Sequence, residues 1–324
     1  MPRAIRIHEH GGPEVLRFED LEPGPVGKGQ VRVRHTAIGV NFIDTYDRSG
    51  LYPVTLPSGI GREAAGVVLE AGQGVTTLRA GDRVAYAGNT PGAYAEERVV
   101  DAARVMKLPD GVSDREGAAL ALKGLTAWFL LRRCHRVKRK EWILLHAAAG
   151  GVGLIALQWA AALGARVIAT VGSDEKAMLA REHGAAEVIV TSRENVAERV
   201  RSITKKRGVT VVYDGVGKDT FFAPLDSLAP LGLMVSYGNA SGVVPPVAPL
   251  ELTRRGSLFL TRPTLFHYTA KRSELERGAR ELFEVVGSGK VRVRIGREYR
   301  LADAAEAHRD LEARRTTGSL LLIP

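Results

Sequence analysis

Two different hydrophobic rhythms divide the chain near residue 122. Before that point, apolar and polar residues alternate over short runs at 30–35, 65–69 and 82–86, with Gly and Pro in the gaps. Alternation with period two puts successive side chains on opposite faces, so each run predicts a half-buried strand. Several such runs broken by turn residues predict a small, barrel-like β domain. After residue 122, apolar runs at 143–146, 166–171, 187–190, 209–213, 233–237 and 257–261 alternate with helical stretches. Strands apolar on both faces belong to a parallel sheet covered by helices, so this second pattern predicts a doubly wound α/β domain. The last stretch returns to mixed helix and strand and ends on an apolar run at 319–323, which predicts a strand rejoining the first domain. The expected division is therefore 1–122, 123–264 and a return over 265–324. No internal repeat or low-complexity tract interrupts it.

The strongest chemical signal lies at the junction of the first apolar run with its helix: Ala147-Ala148-Ala149-Gly150-Gly151-Val152-Gly153. A glycine-rich turn between strand and helix lets backbone N–H groups and the helix N-terminus face a pyrophosphate, while its last glycine lets helix and strand pack closely. Ala148 stands where the G-x-G-x-x-G pattern has its first glycine, but the strand, turn and amphipathic helix to about residue 163 are in order. Val171, ending the second run, is followed by Gly172-Ser173-Asp174-Glu175-Lys176. An acidic residue at that strand end selects the 2′-hydroxyl of NAD; here Gly172, Ser173 and Lys176 could instead receive a 2′-phosphate, so NADPH is favoured. Asp174 and Glu175 fit the first turn of the helix running through Lys176 to His183.

Composition narrows the rest. The 324 residues are 45% hydrophobic, with a mean hydropathy of −0.06, enough for two buried cores. No apolar run approaches the roughly 20 residues of a membrane span, and the N-terminus has no leader pattern, so a soluble, unprocessed, cytoplasmic protein is expected. The one cysteine, Cys134, and eight histidines without paired spacing offer no ligand set for zinc. His146, on an apolar strand, reads as a packed and hydrogen-bonded core residue. The formal charge of +10 is scattered; its densest cluster, six Lys/Arg from 132 to 140, reads as a solvated surface. The open edge expected at 257–261 is a candidate for pairing between two copies of the chain.

Further segments carry a resemblance over nearly the whole length: Gly39-Val40-Asn41-Phe42-Ile43-Asp44 with Tyr46, Gly61-Arg62-Glu63-Ala64-Ala65-Gly66-Val67-Val68, the glycine turn with Gln158, and Thr317-Gly318-Ser319. The chain resembles the quinone oxidoreductases, the zinc-independent, zeta-crystallin-like branch of the medium-chain dehydrogenase/reductase superfamily. The resemblance implies a GroES-like first domain, a Rossmann second domain, a cleft between them and a homodimer. It implies NADPH-dependent reduction of a small-molecule quinone, with enone or enal reduction and NADPH-sensitive RNA binding as alternatives. In zinc-dependent relatives, metal ligands would fall near Asn41 and Arg62. Asn41, Asp44 and Tyr46 would approach nicotinamide and substrate, with the Asn41 amide and Tyr46 hydroxyl as donors to the oxyanion. Thr126, Gly150, Gly151, Val152, Val216 and Gly238 would hold the body of the cofactor, and Ser173, Lys176 and Arg314 its 2′-phosphate. Relatives commonly carry a tyrosine near the third strand's end; this chain has Thr191, with Arg193 close by as a possible substitute.

Overall fold

The computed structural model describes residues 1–324. It divides into two compact units, one of Met1–Leu125, Tyr268–Gly287 and Val293–Pro324, the other of Thr126–His267 and Ser288–Arg292.

The second unit is built on six parallel strands: Trp142–Leu145, Arg166–Val171, Glu187–Val190, Val209–Asp214, Leu228–Ser236 and Phe259–Thr261. Numbered within the unit, they lie in the order 3-2-1-4-5-6. This is the Rossmann order, in which the winding reverses between strands one and four and opens a crevice at their carboxyl ends. Leu144, Ile168, Ile189, Val212 and Met234 fill one continuous core, each buried. Burying each such side chain contributes about 1.5–3 kcal/mol. The fifth strand begins at Leu228, earlier than the apolar run at 233 suggests. Leu228 pairs with Val209 before the register slips to Val211–Leu233, and Leu231 takes a left-handed φ of 61°. Pro230 and Gly232 inside that irregularity hide the strand from a pattern reading.

The helix after the glycine turn, Gly151–Ala162, also departs from expectation. It is apolar around its circumference rather than amphipathic, with Leu154, Ile155, Ala156, Leu157, Trp159 and Ala160 all buried. A helix apolar all round is one that is enclosed on most sides.

In the first unit, Gln30–Val40 is the central strand, eleven residues long. It pairs with Glu63–Ala71, Glu97–Asp101 and, antiparallel, with the C-terminal strand Ser319–Ile323. Val31, Val33, Ile38, Tyr86, Tyr94, Leu320 and Leu322 share its core. The helix Phe42–Ser49 follows the central strand directly, which sets Asn41, Asp44 and Tyr46 at the strand end and along the first two turns. No helix is long and apolar enough to cross a membrane.

Candidate active site

The glycine turn occupies the carboxyl end of the first parallel strand. Gly150 is the N-cap of the helix, and its N–H donates to the Ala147 carbonyl at 2.9 Å. Ala147, not Ala148, takes the left-handed conformation, with φ 51°. Ala148 is fully buried and its N–H donates to the Thr170 carbonyl at 3.1 Å, which explains why alanine serves where the motif has its first glycine. Gly153 has no such latitude. A Cβ there would lie 2.3 Å from the Ala147 carbonyl oxygen and 2.8 Å from Ala148 backbone atoms. The first N–H groups of the helix, from Gly151 and Val152, have no acceptor within it, so the turn presents donors and the positive end of the helix dipole together.

Beyond the second strand, Gly172 is exposed, with nothing within 4 Å of an added Cβ. Ser173 is the N-cap of helix Asp174–Glu182, its Oγ accepting from the Lys176 N–H at 3.4 Å. Asp174 and Glu175 occupy the first turn, as their charge against the helix dipole dictates. Thr191 ties the third strand's end to the second, its N–H and hydroxyl both donating to the Val171 carbonyl at 2.9 and 3.2 Å. Arg193 forms a two-pronged ion pair with Asp174, at 2.7 and 2.6 Å. That pairing holds the Asp174 carboxyl below the usual carboxylate range.

At the reversal point, four polar side chains form a row across adjacent strand ends: Thr170, His146, Asp214 and Ser236. Parallel pairing continues one step past Leu145 to align His146 with Asp214, and Asp214 is paired with Ser236. Thr170 Oγ1 lies 2.9 Å from His146 Nδ1. The imidazole is 1% exposed, and burial pushes it below its ordinary pKa while the nearby Asp214 charge opposes the shift. This agrees with its reading as a core residue. Oδ1 of Asp214 accepts from the N–H groups of Val216 at 2.7 Å and Gly217 at 3.3 Å and from the Thr220 hydroxyl at 2.9 Å, which fixes the loop bearing Val216. Next to that loop, a Cβ on Gly238 would meet the Gly215 carbonyl at 2.2 Å. Buried His146 Nε2, Asp214 Oδ2 and Ser236 Oγ have no hydrogen-bond partner within the protein. Unpaired polar atoms beside a glycine-lined cradle, at a strand reversal, fit a polar dinucleotide. The sequence reading missed Asp214, although a carboxylate ending an apolar strand just before Gly215-Val216-Gly217 is its signal. Thr126, 7% exposed, lies in helix Lys123–Phe129.

In the first unit, Asn41 is the N-cap of helix Phe42–Ser49. Its side-chain amide donates to Glu63 Oε2 at 2.9 Å and to the Gly39 carbonyl at 3.4 Å. The expected donor to an oxyanion is therefore engaged within the protein. Glu63 is held in turn by Lys123 at 2.8 Å and by the Leu122 N–H at 2.6 Å, all but sealed from solvent. Asp44 is fully buried; its Oδ2 accepts from the Asn41 N–H at 2.8 Å and the Tyr94 hydroxyl at 2.9 Å. Burial, and then the Asp47 charge, push the Asp44 carboxyl up to about 7. Tyr46, 7% exposed, packs edge-on against Tyr52 with ring centres 5.3 Å apart. Arg314, exposed in the same unit, takes a left-handed φ of 56° just past helix Ala304–Glu312.

A family model described as alcohol dehydrogenase GroES-like domain matches residues 27–110, and one described as zinc-binding dehydrogenase matches residues 151–284. Together with the parallel sheet these define the medium-chain dehydrogenase/reductase class. Quinone oxidoreductase of Pseudomonas aeruginosa is 52% identical over 100% of both chains. The crystal structure of Escherichia coli quinone oxidoreductase complexed with NADPH matches with a TM-score of 0.98 at 48% identity, covering 99% of this chain and 100% of that one. The 2-haloacrylate reductase of a Burkholderia species is 45% identical over 100% of this chain and 99% of its own. Within that class, the chain belongs to the quinone oxidoreductase family.

The second family description names zinc, and the residues do not fit that metal. Near Asn41 and Arg62, where zinc relatives place ligands, stand a carboxamide bonded to Glu63 and a guanidinium paired with buried Asp47 at 2.7 Å through both prongs. A fixed cation and a committed amide are poor company for a dication. No group of three or more His, Cys, Asp or Glu is placed to hold a metal ion.

Proposed function

We propose that this protein reduces quinones with NADPH as the electron donor and with no metal ion. The observation that carries the reading is the glycine turn, where Gly153 lies against the Ala147 carbonyl at the carboxyl end of the first strand of a 3-2-1-4-5-6 sheet. The names of its relatives support the substrate class. Bound NADPH supplies two electrons and one hydrogen to the quinone, solvent supplies the second proton, and hydroquinone and NADP⁺ leave.

The protein's own residues bind, orient and stabilise charge. The N–H groups of Gly151 and Val152 face the pyrophosphate, while Gly150, its own N–H spent on the Ala147 carbonyl, shapes the turn that presents them. Thr126, Val216 and Gly238 hold the nicotinamide half, with the Val216 loop fixed by Asp214. Gly172, Ser173 and Lys176 take the 2′-phosphate. Tyr46 donates its hydroxyl to the developing oxyanion. Asn41 and Asp44 act as positioning residues, because the Asn41 amide N–H groups are spent on Glu63 and the Gly39 carbonyl and Asp44 Oδ2 on the Asn41 N–H and the Tyr94 hydroxyl. A quinone accepts charge readily, so a site without a strong general acid is sufficient.

The protein acts in the cytoplasm, where Cys134 stays reduced, and as a homodimer. The dimer reading rests on the edge strand Phe259–Thr261, whose Phe259 is 61% exposed. The name of the 45%-identical 2-haloacrylate reductase favours a second reading, reduction of an activated C=C bond on the same scaffold.

The test uses NADPH deuterated at one or the other face of nicotinamide C4. A primary isotope effect on quinone reduction from one epimer and not the other is expected. Equal effects from both, or no oxidation of NADPH by any quinone, would contradict the proposal. Faster turnover with 2-haloacrylate or an enone than with any quinone would move the assignment to C=C reduction.

A further inference from the structure

The ends of the second and third parallel strands carry two opposite charges that clamp each other. Asp174 opens the helix after the second strand, and Arg193 lies three residues past the third. Because Thr191 bonds the Val171 carbonyl twice, the two strand ends are fixed side by side, and Arg193 reaches across to both oxygens of Asp174. The two side chains are 58% and 69% exposed, so the pair adds little to stability.

Their location gives the pair its meaning. At the end of the second strand of a dinucleotide-binding sheet, an acidic side chain selects the ribose 2′-hydroxyl, whereas an arginine accommodates a 2′-phosphate. This chain holds both kinds of side chain, locked together. A guanidinium fork fits phosphate as well as carboxylate, and a phosphate monoester carries about −1.5 to −2 charges near neutral pH against one for a carboxylate.

We propose that Asp174 and Arg193 are a cofactor-discriminating pair: the 2′-phosphate of NADPH takes Arg193 over from Asp174, whereas NADH leaves the pair closed. The inference rests on the NADPH reading and deepens it. The Thr191 hydroxyl is committed to the Val171 carbonyl, and Arg193, two positions further on, supplies the phosphate contact. Asp174 is the opposing element, competing with the phosphate for the same fork. The two residues therefore act on NADPH affinity with opposite signs, which a merely structural ion pair would not do.

The experiment is a fluorescence titration of the whole protein with NADPH and NADH, and by competition with 2′,5′-ADP and 5′-AMP, for wild type, R193A, D174N and the double variant. R193A is expected to weaken NADPH and 2′,5′-ADP about tenfold or more, the value of one lost charged hydrogen-bonded contact, with NADH and 5′-AMP little changed. D174N is expected to tighten NADPH about two- to fivefold, by freeing Arg193 from an exposed pair. In the R193A background D174N should lose that gain. If R193A and D174N shift NADPH in the same direction, or R193A shifts NADH as much as NADPH, the pair does not discriminate. A wild type that binds NADPH no better than NADH overturns the NADPH reading and this inference together. A selective wild type with an unaltered R193A overturns the inference alone.

Discussion

The Tyr94 hydroxyl donates to Oδ2 of Asp44 across 2.9 Å, and the direction of that bond is set by the residues behind it. Arg48 can only donate, so Nδ1 of His308, 2.9 Å away, accepts and the imidazole proton sits on Nε2, 3.0 Å from Tyr94. Burial and the Arg48 charge push His308 down to about 3, so the ring is neutral at ordinary pH. The chain of bonds leaves helix Phe42–Ser49 at Arg48, itself paired with Glu312 at 2.7 Å, and returns to the same helix at Asp44 by way of His308 and Tyr94.

Asp44 therefore imposes a pH dependence on stability. Burial, reinforced by the Asp47 charge, pushes its carboxyl up to about 7, against the 3.8 of an ordinary aspartate. A raised folded pKa means that its contribution is complete below the unfolded value and is lost as pH rises through about 7. Thermal midpoints measured across this window should fall with rising pH in the wild type and fall less steeply in D44N, whose amide oxygen can still accept from Asn41 and Tyr94. An unchanged slope in D44N would assign the dependence to another group.

Gly153 and Gly172 form a matched pair. G153A forces a methyl group to 2.3 Å from the Ala147 carbonyl oxygen, whereas G172A meets nothing within 4 Å. G153A should cost about 1–3 kcal/mol of stability and weaken NADPH at least about tenfold. G172A should leave thermal stability unchanged. Equal melting of the two variants would remove the steric argument for the turn.

Lys123 and Glu63 are a buried ion pair with Asn41 attached. K123M should destabilise by about 3–5 kcal/mol, because a buried carboxylate loses its counter-charge, and K123M/E63Q should recover a large part of that loss. Chemical denaturation of both variants measures the difference. No recovery in the double variant would mean that lost packing by the lysine stem, not charge, sets the cost.

Metal removal should do nothing. With Arg62 fixed on Asp47 and the Asn41 amide on Glu63, dialysis against EDTA is expected to leave quinone reduction unchanged, and added zinc should not stimulate it. Loss of activity restored by zinc would contradict the metal-free account.

The homodimer reading has its own test at the open sheet edge. F259R places a charge on the exposed edge strand and should shift the mass seen by light scattering from dimer to monomer without lowering NADPH affinity. A monomeric wild type would remove the dimer proposal.

The parallel sheet was legible in the sequence because strands buried on both faces are written as unbroken apolar runs. The fifth strand was partly hidden because its bulge places Pro230, Leu231 and Gly232 inside it. The helix after the turn was expected to be amphipathic, but Leu154, Ile155 and Leu157 point in different directions and all are buried. The glycine turn was legible because its chemistry is local. The Asn41–Glu63–Lys123 and Asp44–Tyr94–His308 connections were not, since they join residues from 22 to 214 positions apart that share no periodicity. Arg193 could be named from its place near the third strand's end, but its grip on Asp174 required the folded arrangement.

The measurement that tests the central claim most directly is a titration with NADPH and NADH in parallel, followed in the same cuvette by 1,4-benzoquinone. The account predicts tighter binding of NADPH, and rapid loss of its nicotinamide fluorescence when the quinone is added, with NADP⁺ and hydroquinone formed in equal amounts. Failure to bind either nucleotide, or binding with no oxidation by the quinone, would contradict it.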